Sequence, residues 1–206
     1  VKFFTFSFDD GYESWMRASR LLEKYRYRGS FNVCLRNTAT RRLVNRRLRM
    51  WPDTLLWTEI QELADRGHEI CSHGVRHIDY VDATDEELLM EIEGSKRVFA
   101  SRGIEVDAFT CPFNGYTSQV GKLCGGHYSY VRGGSMINTL PIYVNRYHST
   151  GAEDALESIA EDVWVVGAWH DVEDFREFEA AIQQVEASGA TVVTVQEMFE
   201  YAKRSL

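Results

Sequence analysis

The stretch FFTFSFDDG, residues 3–11, decides how the rest of the chain is read. Phe3, Phe4, Phe6 and Phe8 form an apolar run typical of a buried strand, and it stops abruptly at Asp9-Asp10-Gly11. Adjacent carboxylates at the tip of such a strand repel each other and resist desolvation, so the pair needs an explanation from outside the strand.

Working outward, short β-like runs alternate with helical patterns. SWMRASRLLEKY places Trp15, Ala18, Leu21, Leu22 and Tyr25 on one helical face. GSFNVCL follows, then TEIQELADRG, with Thr58 and Gln61 as a capping box and Gly67 as its stop. HEIC precedes a predicted helix from Thr84 to Ser101, opened by a second capping box at Thr84 and Glu87. AFTC, SYV, PIYV, WVVGAW and TVVTV are further strand candidates, with helices predicted around Phe175–Ser188 and ending near Lys203. About seven or eight such alternations imply an α/β fold of parallel strands covered by helices. No G-x-G-x-x-G follows the first strand, which argues against a dinucleotide site, and a distorted (β/α) barrel suits the length. In such a barrel the chemistry sits beyond the strands' C-terminal ends, where Asp9 and Asp10 lie.

The 206 residues are expected to form a single domain, 1–206. A net charge of −8 argues against nucleic acid as a partner, and no stretch approaches the roughly 20 apolar residues of a membrane span. Val1 leads straight into a strand without a signal peptide, although the missing initiator Met points to a trimmed start. Cys34, Cys71, Cys111 and Cys124 form no C-x-x-C pair and are expected to be buried free thiols, consistent with a cytoplasmic location. Oligomeric state is not readable.

His73 and His77 in CSHGVRHID are four apart, a spacing that lets two imidazoles face one point if the segment turns helically. With Asp10 they make two imidazoles and a carboxylate, an ordinary catalytic zinc set. His170 follows the run Trp164–Trp169 and, in a barrel, faces the same rim.

Phe8-Asp9-Asp10-Gly11, H-x-x-x-H at His73 and His77, and Trp169-His170-Asp171 together resemble the polysaccharide deacetylase family, the NodB homology domain of carbohydrate esterases. The resemblance spans nearly the whole chain and implies a distorted barrel of about seven parallel strands that removes an acetyl group from an N-acetylated saccharide. It implies that Asp10, His73 and His77 hold a divalent metal, most often Zn2+ with Co2+, Ni2+ or Mn2+ as alternatives. Asp9 then matches the general base and His170 the general acid. Two rival readings are a hydrolase of another linear or cyclic amide, and a silent sugar-binding or scaffold domain.

The chain departs from the family pattern in several places. Gly74 stands where the ligand loop normally carries a Ser or Thr hydroxyl. The R-x-P-[YF]-G motif reads Thr110-Cys111-Pro112-Phe113-Asn114-Gly115, keeping Pro112 and Phe113 but losing the base-orienting Arg. Arg132 or Arg146 is the expected substitute. No Asp or Glu occurs from Ala108 to Ala152, so the carboxylate behind the acid His is missing from its usual region, and Asp171 or Asp174 is expected in its place. The run Arg36–Arg49 holds six arginines and no acid. Its Arg41, Arg42, Arg46 and Arg47 form a candidate clamp for an anionic sugar, because guanidinium forks suit phosphate and carboxylate.

Overall fold

A computed structural model describes residues 2–38, 54–133, 136–138, 148–151 and 164–204. Seven parallel strands form a curled sheet in the order β5 (Tyr130–Gly133), β4 (Ala108–Thr110), β3 (Glu69–Ser72), β2 (Gly29–Val33), β1 (Phe3–Asp10), β8 (Trp164–Trp169) and β7 (His148–Gly151). An antiparallel β6 (Met136–Asn138) extends β5, and β9 (Thr191–Val192) pairs with the start of β1. Among the described residues the sheet path runs from β6 to β7 without closing. PIYV, read as a strand from the sequence, lies outside the described residues.

Period-two alternation along β1 separates the two sides of the sheet. Phe4, Phe6 and Phe8 are fully buried on the helix-covered side. There they meet Trp15 and Leu22 of α1 (Trp15–Lys24) and Phe178 of α5 (Phe175–Ala187), which follows the short α4 (Ser118–Cys124) in the chain. Each ring contributes roughly 2–3 kcal/mol of hydrophobic stabilisation. The inner side is apolar at the bottom, where Phe3, Trp164 and Val166 pack on Val195, Met198 and Phe199 of α6 (Val195–Arg204). Toward the strands' C-terminal ends it turns polar, with Ser7, Asp9, Asn32, Thr110 and Arg132.

The helix α3 (Asp85–Ser101) begins with the expected box: Thr84 Oγ1 accepts the Glu87 N–H and Glu87 accepts the Thr84 N–H. At α2 (Trp57–Asp65) the expected box shifts. Thr58 lies inside the helix, Leu56 is the N-cap, and Glu59 rather than Gln61 accepts the Leu56 N–H at 2.9 Å. Gln61 instead pairs with Asp65 one turn on. The strand-like run TVVTV is also divided: only Thr191–Val192 joins the sheet, and Thr194 with Glu197 caps α6 reciprocally. Side-chain oxygens at a helix start satisfy orphan N–H groups, and this outweighs local β propensity. All four cysteines are free and buried.

His68 joins α2 to β3. Its fully buried ring accepts the Gly29 N–H through Nδ1 at 3.1 Å and approaches Glu23 through Nε2, also at 3.1 Å. Burial outweighs the Glu23 carboxylate and pushes the imidazole down from 6.5 to about 4. The unfolded chain binds this proton near pH 6.5 and the folded chain does not until about pH 4. Stability should therefore be intact above pH 6.5 and fall by about 3 kcal/mol between pH 6.5 and 4. Urea unfolding of wild type and His68→Gln at pH 7, 5.5 and 4.5 checks this, and equal losses in both proteins would exclude His68 as the source.

Candidate functional site

The end of β1 sends its two acids in different directions. Asp9 continues the inward alternation, whereas Asp10 adopts φ 90° and Gly11 φ 114°, turning the chain away from the strand. Asn37 Nδ2 and the Cys34 N–H both reach the Asp10 carbonyl, at 3.2 and 3.3 Å, and hold that turn. His73 follows β3 directly, and His77 has a left-handed φ of 58°. The two histidines converge through an irregular loop, not the helical turn that their spacing suggests.

Asp10, His73 and His77 bring one ligand atom each within 4.8 Å of one another. Asp10 Oδ1 lies 2.9 Å from His77 Nε2 and 3.5 Å from His73 Nε2, yet it is buried and makes no hydrogen bond. His73 Nδ1 contacts the Thr110 carbonyl at 2.8 Å, which assigns the proton to Nδ1 and leaves the Nε2 lone pair toward the cluster. Burial would raise the Asp10 carboxyl, but the two imidazoles hold it well below the usual carboxylate range. Two ring nitrogens and an ionised oxygen otherwise without a donor are a donor set that fits a divalent ion.

Two residues hold Asp9, Arg132 and Asn32. Arg132 Nη2 donates to Oδ1 and Oδ2 at 2.7 and 2.8 Å, and Arg132 Nη1 donates to Ser7 Oγ at 2.7 Å. Asn32 Nδ2 donates to Asp9 Oδ1 at 2.6 Å, while Asn32 Oδ1 accepts from Thr110 Oγ1 at 2.7 Å. Burial pushes the Asp9 carboxyl up, but the Arg132 guanidinium, with His73 and His170, outweighs it and keeps Asp9 below the ordinary range. Thr110 stands at the motif's Arg position, and its register partner across the β4–β5 ladder is Arg132. The guanidinium that meets Asp9 thus comes from the neighbouring strand. No sequence motif marks Asn32. Its one signal was a polar amide inside an apolar strand, where a buried amide requires partners.

His170 is exposed just beyond β8, close enough to Asp9 to lower its proton affinity, and its carbonyl accepts Trp15 Nε1–H at 2.9 Å. Asp171 is exposed beside it, and burial, with the Asp10 and Asp171 carboxylates, pushes the Tyr12 phenol up. Asp174 does not fill the place of the missing carboxylate. It caps α5, accepting the Arg176 and Glu177 N–H groups. Trp169 turns from the rim into the aromatic core against Phe4, Phe6, Phe8 and Phe178. Gly167 makes room for it, since a Cβ there would lie 2.6 Å from the Trp169 ring. Pro112 is buried in a 3₁₀ turn, and the exposed Phe113 meets His77 edge-on at 4.6 Å between centroids. Arg146 and the clamp residues Arg41, Arg42, Arg46 and Arg47 lie outside the described residues.

A cavity of about 160 Å³ opens beside the three converging side chains and is lined by Asp10, Tyr12, Arg36, Asn37, Thr54 and His77. The lining thus combines one carboxylate, one imidazole, a phenol and a guanidinium.

Solved structures share the fold at low sequence identity. The T48 deacetylase with substrate superposes with a TM-score of 0.69 at 16% identity, covering 98% of this chain and 92% of that one. The Xyl-CE4 domain of a multidomain xylanase from the hindgut metagenome of Trinervitermes trinervoides gives 0.65 at 20% identity, covering 97% and 90%. A CE4 family pseudoenzyme from Bacillus anthracis gives 0.65 at 15% identity, covering 95% and 64%. Among proteins with curated functions, none matches the sequence. The family profile described as polysaccharide deacetylase matches residues 1–125, the span that carries Asp9, Asp10, His73 and His77, and by that match the chain belongs to the polysaccharide deacetylase family.

Proposed function

We propose that this protein is a metal-dependent hydrolase that removes the acetyl group from an N-acetylated saccharide. The observation that carries the reading is the division of the acid pair: Asp10 joins His73 and His77 around one point, while Asp9 is locked beside it by Arg132 and Asn32. A divalent ion held by Asp10, His73 and His77 supplies Lewis-acid polarisation of the amide carbonyl and makes water a stronger nucleophile near neutral pH.

The protein's own residues supply the rest. Asp9 stays ionised at neutral pH and has its carboxylate orientation fixed by Arg132 Nη2 and Asn32 Nδ2, so it accepts a proton from the attacking water. His170 stands at the rim to protonate the departing amine. The Tyr12 phenol is protonated and lines the cavity as a hydrogen-bond donor to substrate oxygen. Arg36 at the cavity margin begins the arginine-rich segment, which supports an anionic saccharide as substrate.

Purified protein should contain near-stoichiometric zinc or a similar ion, lost in a His73→Ala/His77→Ala variant, and should release acetate from N-acetyl sugars. The assay panel pairs neutral with anionic N-acetyl sugars and adds linear and cyclic amides. Turnover confined to the latter amides would replace the saccharide assignment, and wild-type protein unable to bind metal would defeat the mechanism.

A further inference from the structure

The segment between the two histidines has no regular secondary structure, so its backbone N–H groups need partners from elsewhere. Those of Val75 and Arg76 are both accepted by Glu91 Oε2, at 2.7 and 2.9 Å. Glu91 lies on α3 with its side chain fully buried. Its Oε1 accepts Arg76 Nε–H at 2.7 Å, and the Tyr80 hydroxyl donates to Oε2 at 3.4 Å. On the other side of the loop, the Leu35 and Arg36 N–H groups donate to the Gly74 and Val75 carbonyls at 3.1 and 2.8 Å. The ligand loop is therefore clamped between the chain after β2 and one carboxylate on α3.

Gly74 fits this arrangement for two reasons. Its φ is 78°, which favours glycine, and a Cβ there would lie 2.3 Å from the Tyr80 hydroxyl and 2.8 Å from Glu91 Oε2. A hydroxyl-bearing side chain at position 74 and the Glu91 anchor thus compete for the same space. Sharing four donors also explains how a carboxylate is tolerated in the core, since buried charge persists only when paired and hydrogen-bonded.

We propose that Glu91 is the positioning residue for the metal-ligand loop, holding His73 and His77 in place of the side chain that position 74 lacks. The inference rests on the metal-site reading above. It predicts that restoring Ser at position 74 harms the site.

The test is zinc affinity by competition with a chromophoric chelator, alongside thermal unfolding of metal-free protein. It compares wild type, Glu91→Gln, Gly74→Ser and, as a control, Glu69→Gln. Glu69 is half-buried and also accepts backbone N–H groups, those of Val195 and Gln196, but it sits at the opposite end of β3. Glu91→Gln should bind zinc about 10- to 100-fold more weakly, the range found when partners of metal ligands are lost, and Gly74→Ser should weaken it comparably. Glu69→Gln should lower the unfolding temperature and leave zinc affinity at the wild-type value. In the Co2+-loaded protein, Glu91→Gln should also shift the ligand-field bands.

Wild-type affinity in Glu91→Gln would overturn the anchor and leave the metal site standing, and so would an equal loss in Glu69→Gln. Wild-type affinity in Gly74→Ser would overturn the competition for space. Absence of zinc binding in wild type would overturn this inference together with the reading beneath it. If Glu91→Gln fails to fold, Glu91→Asp carries the test, because it keeps the charge and shortens the reach to the Val75 and Arg76 N–H groups.

Discussion

Asp9→Asn should lower the rate of acetate release by about 10³-fold, within the 10²- to 10⁴-fold range that a positioned general base contributes, while the protein keeps its metal. Asn preserves the shape of the side chain but cannot take a proton. The metal should remain because Asp10, not Asp9, shares the converging point with His73 and His77. Metal content and single-turnover acetate release, measured on one preparation, separate the two effects. Loss of metal along with activity would exchange the roles given to the two acids. Undiminished turnover would remove Asp9 from the chemistry altogether.

Arg132→Met should be the most destabilising single change in the site. The Arg132 side chain is 2% exposed, and its Nη2 donates to both oxygens of the Asp9 carboxylate, which is 13% exposed. Removing one member of a buried pair leaves the other charged and unpaired, which costs about 3–5 kcal/mol. The carboxylate would also lose its fixed orientation, and a displacement near 1 Å costs about 10²-fold in rate. A double-mutant cycle in urea provides the check. Asp9→Asn/Arg132→Met should be more stable than the sum of the single losses predicts, because the double variant buries no unpaired charge. Strict additivity would mean that the ion pair does not stabilise the folded state.

Much of the fold was legible from local pattern. The Phe-rich run of β1, the alternation of apolar runs with amphipathic segments, and the Thr84–Glu87 cap each depend on residues within one or two turns of each other. Local competition also decides where the structure departs from the pattern. Leu56 and Glu59 open α2 where Thr58 and Gln61 were expected, and Thr194 leaves its strand-like run to cap α6. In both cases satisfaction of helix-start N–H groups outweighed a plausible sequence pattern.

By itself, the sequence determined the chemical inventory: two adjacent acids at a strand's end, two histidines with ligand spacing and a third after a later strand. Residue type limits what a side chain can donate, accept or ligate, and that information needs no neighbours. Tertiary structure alone decided who supports whom. Arg132 reaches Asp9 across 123 residues because the β4–β5 register sets it beside Thr110. Asn32 joins the same carboxylate through the β1–β2 register, which pairs it with Asp9. Glu91 clamps the histidine loop from a helix that sequence spacing does not connect to it. Strand register and helix packing are long-range properties, and a one-residue slip would turn these side chains to the opposite face.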